Sequence, residues 1–190
     1  MSTLRPALVT FASLALITGI LYPLAITGLS SALFPAKAKG SLIQIDGQVV
    51  GSRLIGQSQE DPRCFWGRLS ATGDKPYNAS NSGGSNLSAA NPDLKKGADA
   101  RIQALRVVDP GNSAPVPLDL VTASASGLDP HISPAGAEYQ VPRIARLRGL
   151  EPQVVRDLVR RHTRGRSLGF IGEPCVNVLE LNLELEAKAK

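Results

Sequence analysis

Residues 6–36, PALVTFASLALITGILYPLAITGLSSALFPA, decide the architecture of this chain. They contain no charged side chain; Arg5 precedes them and Lys37 follows. As a helix, this run is about 45 Å long, against roughly 30 Å for the hydrocarbon core of a bilayer. One helix therefore crosses a membrane and leaves a polar end, Ser30 and Ser31, at the interface. Nothing after Lys37 matches it in length and hydrophobicity. The expectation is a short N-terminus (1–5), a transmembrane anchor (6–35) and one globular domain (36–190). The rival reading is a cleaved signal peptide, with Ala36-Lys37-Ala38 as a small-x-small site. The apolar run is about twice the usual 7–15 residues of such a segment, which favours the anchor. Orientation stays open on charge alone, because Arg5 and the α-amine on one side face Lys37 and Lys39 on the other.

The segment from Lys37 onward has a length that supports one domain with a real core. It holds all 16 acidic residues and all but one of the 21 Lys and Arg, a net charge of +4. No Lys/Arg block is dense enough for nucleic acid. Arg156, Arg160, Arg161, Arg164 and Arg166 sit on a helical pattern and read as a solvated face. Cys64 and Cys175 stand 111 positions apart without a CxxC, and His131 and His162 lack ligand spacing, so no metal site is expected. The cysteines are either two thiols or one disulfide, which requires an oxidising compartment.

The domain reads as α+β. Residues 42–50 form a hairpin around Asp46-Gly47. Gly56 to Asn91 is a long loop rich in Gly, Asn, Ser and Pro. Asn91-Pro92 starts a helix with Leu94, Ala98, Ile102 and Leu105 as its apolar stripe, and Asp109-Pro110-Gly111 stops it. Ser133-Pro134 starts a second helix that Pro142 can kink and Gly149 ends. Pro152 starts a third, with Val154, Val155, Leu158 and Val159 facing the core and Gly165 closing it. From Val178 to Glu186, Leu alternates with Glu or Asn. That period of two argues for a strand, although the composition also suits a helix.

The chemistry-bearing motifs are incomplete. Gly51 to Ser58 approaches a phosphate loop, but Gln57 replaces its Lys. Ser82-Gly83-Gly84-Ser85-Asn86 has a faint likeness to the signature motif of ABC ATPases and could aim backbone N–H groups at an anion; it equally describes a tight turn. Ser124, Ser126, Asp129 and His131 are triad-type residues within eight positions, yet no G-x-S-x-G elbow exists. They read better as turn and cap chemistry. A membrane-tethered hydrolase using Ser126, Asp129 and His131 is the alternative from another class. There is no aspartyl-phosphate motif and no potassium-filter motif. The anchor carries no ionisable group of an ion path, and its Ala12, Ala15 and Gly19 would let another helix approach.

Several segments together carry a resemblance. They include Gly51-Ser52-x-Leu54-Ile55-Gly56-Gln57, Gly67-Arg68-x-Ser70-Ala71, Ser82 to Leu87 and Asn91-Pro92. Above all they include Thr122-x-Ser124-x-Ser126-Gly127-Leu128-Asp129-Pro130-His131-Ile132-Ser133. Gln140-Val141-x-Arg143, Gly169-Phe170-x-Gly172-Glu173-Pro174 and Val176-Asn177-Val178-Leu179 follow in order. This series behind one membrane helix closely resembles the C subunit of the Kdp potassium-transporting ATPase.

The resemblance implies an accessory, non-catalytic subunit in the cell (inner) membrane, in contact with lipid. Its partners would be a channel-like potassium-binding subunit and a P-type ATPase. It would hold the assembly together and raise the ATPase subunit's affinity for ATP. It also implies a cytoplasmic N-terminus and an extracytoplasmic domain, which separates the domain from cytoplasmic ATP. Assembly, not direct nucleotide contact, is therefore the expected role, with no cofactor bound directly, ATP acting through the complex and potassium carried by the partner. Ser82, Gly83, Gly84, Ser85 and Asn86 are the candidate nucleotide-linked loop. Thr122, Ser124, Ser126, Gly127, Asp129 and His131 are the candidate interface loop. Leu69, Cys64 and Cys175 depart from the family pattern, and the two cysteines are a candidate disulfide of this lineage.

Overall fold

The structure is a computed structural model describing residues 3–188. It divides into two compact units, one up to Val50 and one from Gly51 onward. In the first unit, Leu4–Leu33 forms one 30-residue helical run, long and apolar enough to cross a membrane. Its parts are α1 (Leu4–Leu16), a π-helical turn (Ile17–Leu21) and α2 (Tyr22–Leu33). The π turn has a local cause. Pro23 has no N–H to give the carbonyl of Gly19 and its ring crowds that carbonyl, so the ladder widens there; Tyr22 N–H accordingly reaches back to Ile17 O. Phe34, with φ −136° and ψ 58°, breaks the run before α3 (Pro35–Ala38), as a residue preceding Pro tends to do. Of residues 4–33 all but Ser30 are exposed.

β1 (Leu42–Ile45) and β2 (Gln48–Ser52) form the expected hairpin. Asp46 (φ 50°) and Gly47 (φ 78°) are both left-handed, the pair of conformations that matches the twist of the flanking strands.

The second unit is mixed helix and sheet. Apart from one short 3-10 turn (Ala79–Asn81), the stretch from Gly56 to Asn91 is irregular. α4 (Pro92–Val108) starts where expected, with Asn91 Oδ1 accepting Asp93 N–H at 2.9 Å, although only Leu105 of its stripe is fully buried. α5 (Leu118–Val121) leads to β3 (His131–Ile132). α6 (Pro134–Arg148) is capped by Ser133 Oγ and ends at left-handed Gly149 (φ 65°). α7 (Pro152–His162) precedes β4 (Thr163–Arg164), β5 (Cys175–Asn177) and α8 (Val178–Lys188). The small sheet has the order β3-β5-β4 with both pairs antiparallel; Ile132 and Thr163 flank Val176. Helices α6, α7 and α8 pack around it. The core joins Phe65, Leu120, Ile132, Ile144, Leu158, Val176, Leu181 and Leu185.

Three expectations change. Residues 178–186 are helix, not strand. Leu181 and Leu185, four apart, are buried, while Leu179 and Leu183, also four apart, lie half-buried. Alternating leucines thus supply two i,i+4 rows on nearly opposite faces of a helix, one in the core and one half-buried, and Asn177 Oδ1 caps its start by accepting Glu180 N–H at 3.1 Å. α7 stops at His162, before Gly165, because Thr163 is taken into the sheet opposite Val176. Val154 lies outside the core.

After a turn at Pro62 and Arg63, which Cys64 N–H closes by donating to Asp61 O, the chain from Cys64 to Gly67 passes into the core without a neighbouring strand, and helix side chains satisfy its backbone instead. Asn182 accepts from Phe65 N–H (2.8 Å) and donates to Phe65 O (2.9 Å). Gln140 does the same for Trp66, at 2.8 and 3.1 Å. Arg143 donates to the carbonyls of Pro62 and Cys64, Arg148 to that of Arg63, and Arg101 to that of Gly67. Replacing Gln140 by Leu leaves two buried backbone groups of Trp66 unpaired, which costs about 2–4 kcal/mol. Thermal unfolding of the full chain in mild detergent should then fall by roughly 5–15 °C. Gln153→Leu, on the exposed side of α7, is the matched control, and equal shifts for the two variants would contradict this account.

Candidate functional site

The loop between α5 and β3 is tied down by hydrogen bonds along its whole length. Thr122 Oγ1 donates to Leu118 O at 2.9 Å and closes α5. Ser124 is buried; its N–H reaches Leu69 O at 3.2 Å, and its carbonyl accepts Gly127 N–H at 3.2 Å. Ser126 is exposed, and its Oγ accepts Leu128 N–H at 3.1 Å. Leu128 O accepts Gly56 N–H, and Pro130 O accepts Val178 N–H, both at 2.9 Å.

Asp129 is the electrostatic centre. Its Oδ1 accepts His131 N–H at 3.0 Å and lies 3.1 Å from His131 Nδ1; its Oδ2 is 3.3 Å from Arg68 Nη1. Burial pushes the carboxyl up, but the His131 ring, the His131 N–H and the Arg68 guanidinium outweigh it and hold it below the usual carboxylate range. Arg68 also donates to Ala123 O at 3.3 Å, and its Nε is buried without a partner. Leu54, Arg68, Ser126, Leu128, Asp129 and Pro130 border an open depression of about 540 Å³.

Glycines let a second segment press against this loop. Gly83 N–H donates to Ser126 O at 2.9 Å, and Ser82 Oγ to the same oxygen at 3.0 Å. A Cβ on Gly84 would stand 2.9 Å from Ala125 O. One on Gly127, which is left-handed at φ 67°, would stand 2.7 Å from Gly83 O and overlap the Thr72 methyl. Ser85 and Asn86 are exposed, with Asn86 Nδ2 on Gly84 O at 3.2 Å. Thus the Ser82–Asn86 segment and the Thr122–His131 loop form one interlocked surface, in which the Gly83 N–H already serves a backbone carbonyl.

Sequence reasoning found this loop but missed what holds it. Ser70 Oγ donates to Gly127 O at 2.7 Å and accepts Tyr77 N–H at 2.8 Å, while Tyr77 OH donates to Arg68 O at 2.6 Å. Only the Gly67-Arg68-x-Ser70 motif hinted at them. The hydrolase reading gains nothing: Asp129 and His131 pair, but no hydrogen bond joins Ser126 to His131 among the described residues, and the Ser126 oxygen serves a turn. Cys64 and Cys175 are free thiols, not a disulfide. Cys64 Sγ lies 3.9 Å from Glu186 near the end of α8, whereas Cys175 precedes the start of that helix.

Because the folded-state value of Asp129 is depressed, its contribution to stability is complete above its unfolded value of about 4 and is lost as pH falls through the folded value below that. Asp129→Asn removes this dependence. The gap in melting temperature between wild type and Asp129→Asn, measured in mild detergent, should be fully open above the ordinary carboxylate range and narrow as the pH falls below it. A gap that stays constant as the pH falls would contradict the ion-pair geometry.

A family model described as "K+-transporting ATPase, c chain" matches residues 4–187. Among similar proteins is the "Potassium-transporting ATPase KdpC subunit" of Variovorax paradoxus (strain S110), 60% identical over 188 residues, 99% of this chain and 97% of that one. The protein of the same name from Polaromonas naphthalenivorans (strain CJ2) is 62% identical over 184 residues, 97% of this chain and 94% of that one. That from Methylococcus capsulatus (strain ATCC 33009 / NCIMB 11132 / Bath) is 60% identical over 183 residues, 96% of each. The chain belongs to the family of the K+-transporting ATPase c chain, the KdpC family.

Proposed function

We propose that this chain is the accessory, non-catalytic subunit of an ATP-driven potassium import complex, and that it acts by stabilising the assembly. Its partners are a channel-like potassium-binding subunit and a P-type ATPase subunit. The observation that carries this reading is the family match, which runs from the apolar helix through nearly all of the second unit, residues 4–187. The site geometry supports a scaffold role: its serine, aspartate and carbonyl groups serve turns and interloop bonds. In this reading one helix anchors the chain in the inner membrane, with residues 1–5 cytoplasmic, 6–35 spanning and 36–190 extracytoplasmic.

Purification of the full chain from native membranes in mild detergent should bring down a P-type ATPase subunit. Recovery of the chain alone would overturn the assignment. Orientation is checked with Val107→Cys, at a side chain 78% exposed: a membrane-impermeant maleimide should label it in intact spheroplasts, and labelling confined to lysed cells would reverse the topology. The two neighbouring glycines separate assembly from nucleotide contact. A Cβ at Gly84 meets a backbone carbonyl, whereas one at Gly83 meets nothing within 4 Å. Gly84→Ala should therefore loosen the interlocked loops by about 1–3 kcal/mol and lower complex recovery and potassium-stimulated ATPase activity together. Gly83→Ala should change neither. A several-fold rise in the pump's KM for ATP in Gly83→Ala, with assembly intact, would favour direct nucleotide contact.

A further inference from the structure

Between β4 and β5 the chain folds back over residues 165–174 as an ordered projection. Ser167 N–H donates to Ile171 O at 2.8 Å, and Ile171 N–H to Ser167 O at 2.9 Å. At its base, Arg166 Nη2 lies 2.9 Å from both carboxylate oxygens of Glu173. Leu168 (φ 53°) and Gly169 (φ 82°) turn the tip through two left-handed residues, a conformation that leucine rarely adopts. The result is that Leu168, Phe170 and Ile171 stand out at 83%, 73% and 52% exposure. One exposed apolar side chain is ordinary; three on one braced turn form a patch of the kind that marks an interaction site.

A hollow adjoins this knob. A depression of about 660 Å³ is bordered by Pro134, Glu138, Arg156 and Val159 and by both feet of the projection, Gly165 and Pro174. The charges around the two are largely spent within the chain. Arg156 pairs with Glu138 (2.7 Å), Arg160 with Asp157, Arg161 with Glu184 (2.6 Å) and Arg166 with Glu173. Of the arginines in this region, Arg164 alone forms no salt bridge among the described residues. An anionic bilayer surface is held by several unpaired cations, which this region lacks. An apolar knob, an adjoining hollow and one spare guanidinium instead suit a protein surface, where aromatic residues and Arg are enriched.

We propose that residues 165–174 are a docking knob: Leu168, Phe170 and Ile171 enter an apolar socket on another protein subunit of the pump, and a carboxylate beside that socket meets Arg164. This rests on the assignment of the chain to such an assembly. The test uses the full chain in the intact complex, with a photoreactive benzophenone side chain at position 170 and, as control, at the equally exposed position 107. Irradiation should join position 170, not position 107, to a second and different polypeptide of the complex. Adducts only to lipid, only to a second copy of this chain, or no more than at position 107, would overturn the knob while co-purification of the pump leaves the assembly assignment standing. If no pump co-purifies with the wild-type chain, both fall together. Phe170→Ser should leave the melting temperature of the separate chain unchanged and weaken its retention in the complex about 5- to 30-fold. Retention equal to wild type would likewise overturn it.

Discussion

The second unit depends on how a length of irregular backbone is made tolerable inside a core. Backbone N–H and C=O groups without partners are costly to bury. The strip from Cys64 to Gly67 nevertheless places Phe65 and Trp66 at the centre, at 0% and 6% exposure. Gln140 and Asn182 are the solution: each side-chain amide offers one acceptor and one donor, and so replaces the two bonds a neighbouring strand would make. Arg143 adds two carbonyl contacts while its guanidinium stands 5.0 Å from the Trp66 ring, and Arg101 does similarly at 4.8 Å. Burial lowers the pKa of Arg143 to about 10, with the charge of Asp109 pulling the other way, so it remains charged at neutral pH. Its helix α6 is thereby fixed to a segment 74 to 81 positions earlier.

The same strip continues into the site. Directly after Gly67 come Arg68, whose guanidinium meets Asp129, and Leu69, which bridges to Ala123 in parallel. Ser70 then holds the Gly127 carbonyl. The loop between α5 and β3 thus inherits its position from core bonds made a few residues upstream. Polar residues that resemble catalytic groups in sequence are here the acceptors and donors of a folded loop, which is why their chemistry is consumed by structure.

What the sequence made legible was local. Asp46-Gly47, Asn91-Pro92, Ser133-Pro134 and Gly149 each act within a few residues, and each turn or cap stands where its chemistry requires. The Asp129–His131 pair is also local, two positions apart. The strip itself reads as irregular loop because its partners are remote: Phe65 meets Asn182 across 117 positions. Period counting failed at α8 for a related reason. Leucine at every second position is compatible with both periods over nine residues. A buried Asn182, polar where a strand face could also be polar, gave no vote until its bond to Phe65 was visible.

The projection after β4 completes the same logic in reverse. In the core of the second unit, apolar side chains are drawn inward and irregular backbone is tied down by remote polar groups. At Leu168, Phe170 and Ile171 the hydrogen bonds are local and the apolar groups point away. The turn is braced by its own Ser167–Ile171 pair and by Arg166 on Glu173, so its exposure does not come from looseness. Taking Leu168 through a left-handed conformation to display its side chain opposes both backbone preference and the hydrophobic effect. A chain that ties the backbone beside Phe65 and Trp66 so closely, yet keeps three large apolar groups on a braced tip, has left part of its hydrophobic surface to be covered by something other than itself.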